Sequence, residues 1–220
     1  MQDQNASPTD DLDMTLTNEF GLRALNETFE LAELGFDKRK RNRWTGRRDG
    51  WTGRILAGRI DGLPVRVFDY YQPVTTTTGA DGSYSQSSHD ESYSCALAEI
   101  PAGCPYTWFS RRSLLWLVNW VVRAFGRMPP AGSKSFQRTF EYRCKDDDFV
   151  RALLDPALES WMMSSKDDFP SGSDIEMRGP YLLIAVRRWR GKDERVRALH
   201  LLREFHARIP TAVWSSYARG

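Results

Sequence analysis

The chain has 220 residues, with 31 Lys/Arg against 29 Asp/Glu, 40% hydrophobic and 12% aromatic content, and eight Trp. This composition excludes a chain disordered over most of its length and suffices for one substantial core. The formal net charge of +2 hides a reversal near the start, because residues 1–37 hold nine acids and one base whereas 38–59 hold nine bases and one acid.

Residues 1–21 predict an acidic, disordered leader, polar throughout its first thirteen residues (MQDQNASPTDDLD). The first twenty residues lack a basic start followed by an apolar stretch, so no secretory signal is expected. Leu25, Phe29 and Ala32, with Leu31 and Leu34 nearby, predict a short helix over 25–34 that Gly35 stops.

The basic segment 38–59 is the candidate binding feature. Lys38, Arg39, Lys40, Arg41, Arg43, Arg47, Arg48, Arg54 and Arg59 create a local positive field, and Trp44 and Trp51 stand in the related pieces Trp44-Thr-Gly-Arg47 and Trp51-Thr-Gly-Arg54. Clustered Lys/Arg with aromatic faces and glycines between them suit phosphate groups. The anion-binding candidates are therefore Lys38, Arg39, Lys40, Arg41, Arg43, Trp44, Arg47, Arg48, Trp51 and Arg54. An anionic lipid surface is the first expected partner, nucleic acid the second and an acidic protein the third. A solvated ribbon neutralised by the acidic leader accounts for the same residues without any partner.

A hairpin is expected next, with Arg54–Ile60 and Pro64–Tyr71 flanking Asp61-Gly62, since Asp-Gly favours tight hairpin turns. Residues 73–90 are rich in Thr, Ser and Gly and predict a mobile loop. A strand over Glu91–Ile100 follows, with a short one at Tyr106–Phe109.

The run Leu114–Phe125 is too short to span a bilayer, which needs about 20 apolar residues. It predicts a buried helix. Its Trp116 and Trp120, flanked by Arg111, Arg112, Arg123 and Arg127, are also membrane-contact candidates.

Phe136, Phe140, Tyr142 and Cys144 alternate with polar residues, predicting a half-buried strand. Asp147–Leu154 predicts a helix, restarted by Asp155 as N-cap with Pro156 in the first turn. Strands over Asp174–Arg178 and Tyr181–Arg188 lead to a last helix, Lys192–Arg208, burying Ala198, Leu201, Leu202, Phe205 and Ile209. The order of elements predicts a single α+β domain over 22–212, an antiparallel sheet of hairpins covered by helices, with a tail at 213–220.

No catalytic constellation or metal site is evident. His89 lies in the polar stretch, and His200 and His206 are about 120° apart on one helix. Cys95, Cys104 and Cys144 form no CxxC pair, so neither a disulfide framework nor a zinc ribbon is indicated; they read as reduced cytoplasmic thiols. Cys95 and Cys144 face inward in the strand reading. Asp69 sits inside a strand and needs a partner, for which Arg138 or Arg143 is expected. No cofactor is implied.

Several pieces together resemble an actinobacterial family of unknown function, many members of which carry membrane-spanning helices before a soluble domain. They are Leu56-Ala-Gly-Arg59 with Gly62-Leu-Pro-Val65-Arg-Val-Phe-Asp69-Tyr70, the Ser/Thr-rich excursion, and the strand ending near Pro101. Phe136-Gln-Arg138-Thr-Phe140, Leu153-Leu-Asp-Pro156-Ala-Leu-Glu-Ser-Trp161 and the helix ending at Ile209-Pro210 continue the series over residues 50–210. The resemblance implies membrane proximity but no reaction and no site residues.

The expectation is a non-enzymatic binding or scaffold module, cytoplasmic and peripheral at the inner membrane face. Nucleic-acid binding by the same segment is the alternative. An enzyme would require a pocket around Asp69.

Overall fold

The computed structural model describes residues 8–26, 31, 34, 36, 51–80, 83–112, 131–187 and 194–218. Among these residues, six antiparallel strands form one sheet in a mixed α+β domain. Strands β1 (Arg23–Leu25), β2 (Trp51–Ile60), β3 (Leu63–Ala80), β4 (Ser83–Arg111) and β5 (Phe140–Cys144) are successive neighbours, and β6 (Asp174–Arg187) pairs with β4. At Tyr93–Ala98, β4 pairs with both β3 and β6, and at Thr107–Ser110 with both β5 and β6. Strands β3 and β5 therefore follow one another along one edge of β4, while β6 runs along the other.

The turn joining β2 to β3 is the one expected, with Asp61 at φ 51° and Gly62 at φ 82°. Both values lie in the left-handed region that a two-residue hairpin needs. Between Glu99 and Thr107 the β4–β6 register shifts twice. Pro101 and Pro105 lie within this stretch and cannot donate to a ladder. The C-terminal end of the chain closes part of the gap, since Gly103 N donates to Tyr217 O at 2.8 Å and Ala102 bridges to Ala218.

Alternation along the strands divides the apolar residues between two faces. Leu56, Val65, Val67, Ala96, Ala98, Leu182, Ile184 and Val186 belong to the main core, under the helices. Ile55, Phe68, Cys95, Leu97, Leu183 and Ala185 form a second cluster with Leu31 and Phe36. The unbroken apolar run Leu182–Val186 is thus a strand buried on both sides.

The cap chemistry expected around Asp155 is present. Helix α3 (Asp147–Leu153) starts at Asp146, whose carboxylate accepts from Phe149 N at 2.9 Å. Helix α4 (Pro156–Ser164) starts at Asp155, which accepts from Leu158 N at 2.7 Å, with Pro156 in the first turn. Helix α5 (Glu194–Ala207) buries Ala198, Leu201, Leu202 and Phe205, as its period predicted. Ile209 is buried just beyond it.

Five expectations need correction. Residues 8–20, assigned to the disordered leader, form helix α1 (Pro8–Phe20), with Asp13 and Leu16 buried. Gly21, at φ 66°, ends that helix. Residues 73–90 are largely strand rather than loop, paired from Pro73–Asp90 to Ala80–Ser83. A hairpin needs backbone pairing and β-tolerant Thr and Ser, which the lack of apolar residues does not prevent.

Leu25 is in a strand opposite Ile55 rather than in a helix; Phe29 and Ala32 lie outside the described residues. Phe136 to Thr139 is not strand but helix α2 (Lys134–Thr139). Gly132 at φ 74° and Ser133, whose Oγ accepts from Phe136 N, start that helix, and β5 begins only at Phe140. Finally, the tail at 213–220 is not separate from the domain. Helix α6 (Thr211–Ser216) buries Val213, and Tyr217 lies edge-on to Phe149 at 4.9 Å.

Candidate anion-binding surface

Most predicted binding residues, namely Lys38, Arg39, Lys40, Arg41, Arg43, Trp44, Arg47 and Arg48, lie outside the described residues. The membrane-contact candidates Trp116 and Trp120 do too. Trp51 begins β2 opposite Tyr71. Arg54 is the member of the set whose side chain is described.

Arg54 sits where the β2–β3 register shifts, between Thr52 and Ile55. Its Nη1 is 2.8 Å from Asp13 Oδ2, and its side chain is 53% exposed. The other oxygen of that carboxylate, Oδ1, is 2.7 Å from Arg195 Nη1, and the Arg195 side chain is only 2% exposed. Asp13 thus bridges one guanidinium at the surface and one in the interior. Arg195 lies in the first turn of α5, where the helix dipole disfavours a cation, so its burial depends on a nearby carboxylate. One acid of the leader and one base of the basic segment are therefore in direct contact.

Sequence reasoning missed both Asp13 and Arg195 as partners. Arg195 does fall on the inward side of the last helix, beside Ala198 and Leu202. A charged residue on an apolar stripe was the available signal.

A second polar region lies on β4, β5 and β6. Glu176 and Asp174 are buried at alternate positions of β6. The hydroxyl of the half-exposed Tyr106 donates to Glu176 Oε2 at 3.5 Å. Burial, Glu176 and Asp174 all push the Tyr106 phenol above its ordinary range. The Arg178 guanidinium lies 5.9 Å from the Tyr106 ring centre, and that of Arg143 lies 5.4 Å from the Trp108 ring centre. These contacts build a polar face of acids, aromatic rings and guanidinium groups.

Asp69 is buried and accepts from Ser94 Oγ at 3.0 Å, its partner across the β3–β4 ladder. The expected partners stand elsewhere. Arg143 is on β5, opposite Trp108 at the far end of β4, and Arg138 is exposed on α2.

Cys104 is buried, and burial with the neighbouring Cys144 pushes its thiol up to about 12. Cys144 accepts from Thr107 Oγ1 at 3.1 Å. His200 packs edge-on against Phe20, and His206 lies 5.3 Å from the Trp214 ring, where burial lowers its pKa. A cavity of about 100 Å³ lies between the β2–β3 turn and α5, lined by Ile60, Leu63, Leu199, Leu202 and His206 among others. Among the described residues, no group of three or more His, Cys, Asp or Glu is arranged to hold a metal, and no helix is long and apolar enough to cross a membrane.

The architecture belongs to the α+β class, with one antiparallel sheet and helices packed on it. A solved protein with a similar fold is the mycobacterial trehalose monomycolate transport factor A, TtfA, known from a crystal structure. The likeness has a TM-score of 0.53 and covers 90% of this chain and 92% of that one, at 10% sequence identity. At that identity it is a likeness of fold. No protein-family model and no curated protein matches the sequence.

Proposed function

We propose that this chain is a non-enzymatic binding or scaffold module that contacts an anionic membrane surface peripherally through its basic segment, 38–59. The observation that carries the reading is the concentration of nine Lys/Arg and one acid into that segment. It ends on a sheet strand, where the Arg54 side chain is half exposed and pairs with Asp13. Clustered cations bind phosphate-bearing surfaces through many weak contacts and need no deep pocket.

The fold adds support, since the similar TtfA is named as a transport factor rather than for a reaction. The resemblance to an actinobacterial family with membrane-spanning members points the same way. Trp116 and Trp120 would reinforce the contact by burying aromatic surface at the lipid interface. An enzyme acting at Asp69 has no such support, because that carboxylate is buried against Ser94.

The test is co-sedimentation with vesicles of phosphatidylglycerol and of phosphatidylcholine across a salt series. Binding to the anionic vesicles is expected, weakening steeply with salt, and lost in Lys38→Glu/Arg41→Glu/Arg48→Glu. Binding that survives high salt and disappears in Trp116→Ala/Trp120→Ala would assign the contact to that apolar segment instead. Binding to oligonucleotides but not vesicles, weakened by about 1–3 kcal/mol per stacked base in Trp44→Ala/Trp51→Ala, would replace the membrane by nucleic acid.

A further inference from the structure

Two arginines from distant parts of the chain converge on one carboxylate. Arg54 comes from β2, Arg195 from the first turn of α5, and Asp13 from the middle of α1. Each carboxylate oxygen takes one guanidinium, at 2.8 and 2.7 Å. A phosphate group presents guanidinium groups with the same kind of two-oxygen edge and more negative charge. The pair of arginines is therefore a socket whose chemistry suits phosphate, already filled by an internal acid.

The filling residue is carried on helix α1, an element separate from the two that supply the arginines. Helix α1 is 13 residues long and is followed by Gly21, in the left-handed region at φ 66°. Among its described residues, Leu16 is fully buried, Phe20 lies edge-on to His200 and Asp13 makes the two ion pairs. Met14, Thr17, Asn18 and Glu19 face solvent. Displacing the helix would take the Asp13 carboxylate away from Arg195, whose side chain is 2% exposed, and from Arg54, which is half exposed already.

We propose that Arg54 and Arg195 form a phosphate-binding socket, occupied in the resting chain by Asp13, so that α1 is a displaceable plug. The biological use of the socket rests on the proposed contact with an anionic surface, whereas the socket itself does not. A phosphate-bearing group competes with Asp13, and its binding releases α1. The helix in turn sets the threshold of surface charge at which the module engages.

Isothermal titration with inorganic phosphate, against chloride at matched ionic strength, tests the socket. Asp13→Asn is expected to bind phosphate about tenfold more tightly than the unaltered chain, because apparent affinity scales with the fraction of sockets that are open. Asp13→Asn/Arg54→Gln is expected to lose that gain. Equal phosphate affinity in Asp13→Asn and the unaltered chain would overturn the proposal.

If Asp13→Asn does not fold, amide exchange of the unaltered chain decides. Phosphate should speed exchange in α1 several-fold while leaving α5 unchanged, and no change in α1 would refute the plug. Phosphatidylglycerol vesicles separate the two sources of phosphate. Faster α1 exchange on vesicles assigns the socket to lipid headgroups, whereas an effect of inorganic phosphate alone assigns it to a soluble phosphate compound. The membrane reading fails separately, if the charge-reversed variant of Lys38, Arg41 and Arg48 binds anionic vesicles as well as the unaltered chain.

Discussion

Replacing Arg195 by Met tests whether the contact with Asp13 is an interior ion pair or a surface one. The substitution keeps most of the side-chain volume but leaves the Asp13 carboxylate, 8% exposed, with Arg54 as its one ion-pair partner among the described residues. Removing one member of a buried pair costs about 3–5 kcal/mol, because the remaining charge stays desolvated. Against a typical total stability of about 5–15 kcal/mol, that is a large fraction. For a chain of this size it corresponds to a fall in Tm of roughly 6–20 °C.

Arg54→Gln removes a partner that is half in water, so about 0–1 kcal/mol is expected. The double variant Asp13→Leu/Arg195→Met should recover most of the loss, since an apolar pair of similar volume replaces both charges. Urea unfolding followed by tryptophan fluorescence measures all three, with an unchanged m-value as the check that the same surface is exposed. Equal losses for Arg195→Met and Arg54→Gln would refute the reasoning, as would a double variant no better than Arg195→Met. Either result would mean that α1 does not dock through a buried charge.

Two further outcomes follow from the core. Leu202→Asp places an unpaired carboxylate at a position 1% exposed and should cost several kcal/mol, abolishing cooperative melting; a soluble variant with an unchanged transition would show that α5 does not pack on the sheet. Cys104, with its thiol pushed up to about 12 from an ordinary 9.0, should resist alkylation at pH 8 until the chain is unfolded. Because folding raises this pKa, the associated stability is fully present below pH 9 and is lost as pH rises towards 12. Cys104→Ala should flatten that part of the stability–pH curve, and an unchanged slope would show that another group is responsible.

Several elements were legible in the sequence because their causes are local. Asp155 and Pro156 start a helix through contacts within four residues, and Asp61-Gly62 makes a hairpin because only such residues accept its dihedral angles without strain. The inward positions of α5 followed from its 3.6-residue period. The antiparallel α+β class followed from the order of elements. The segregation of charge is likewise a property of the sequence alone, and it is what carries the functional proposal.

Tertiary structure decided whatever depends on partners far away in the chain. Phe136 and Phe140 alternate as a strand would, yet Gly132 and Ser133 start a helix that packs Phe136 against Phe109. The Thr/Ser-rich stretch becomes paired strand because its two arms align in register, which composition does not reveal. The acidic start of the chain reads as unfolded because charge density opposes collapse. It folds in part because Leu16 finds the core and Asp13 finds Arg195. Burying a charge is decided by the partner that neutralises it, and here that partner lies at the opposite end of the sequence.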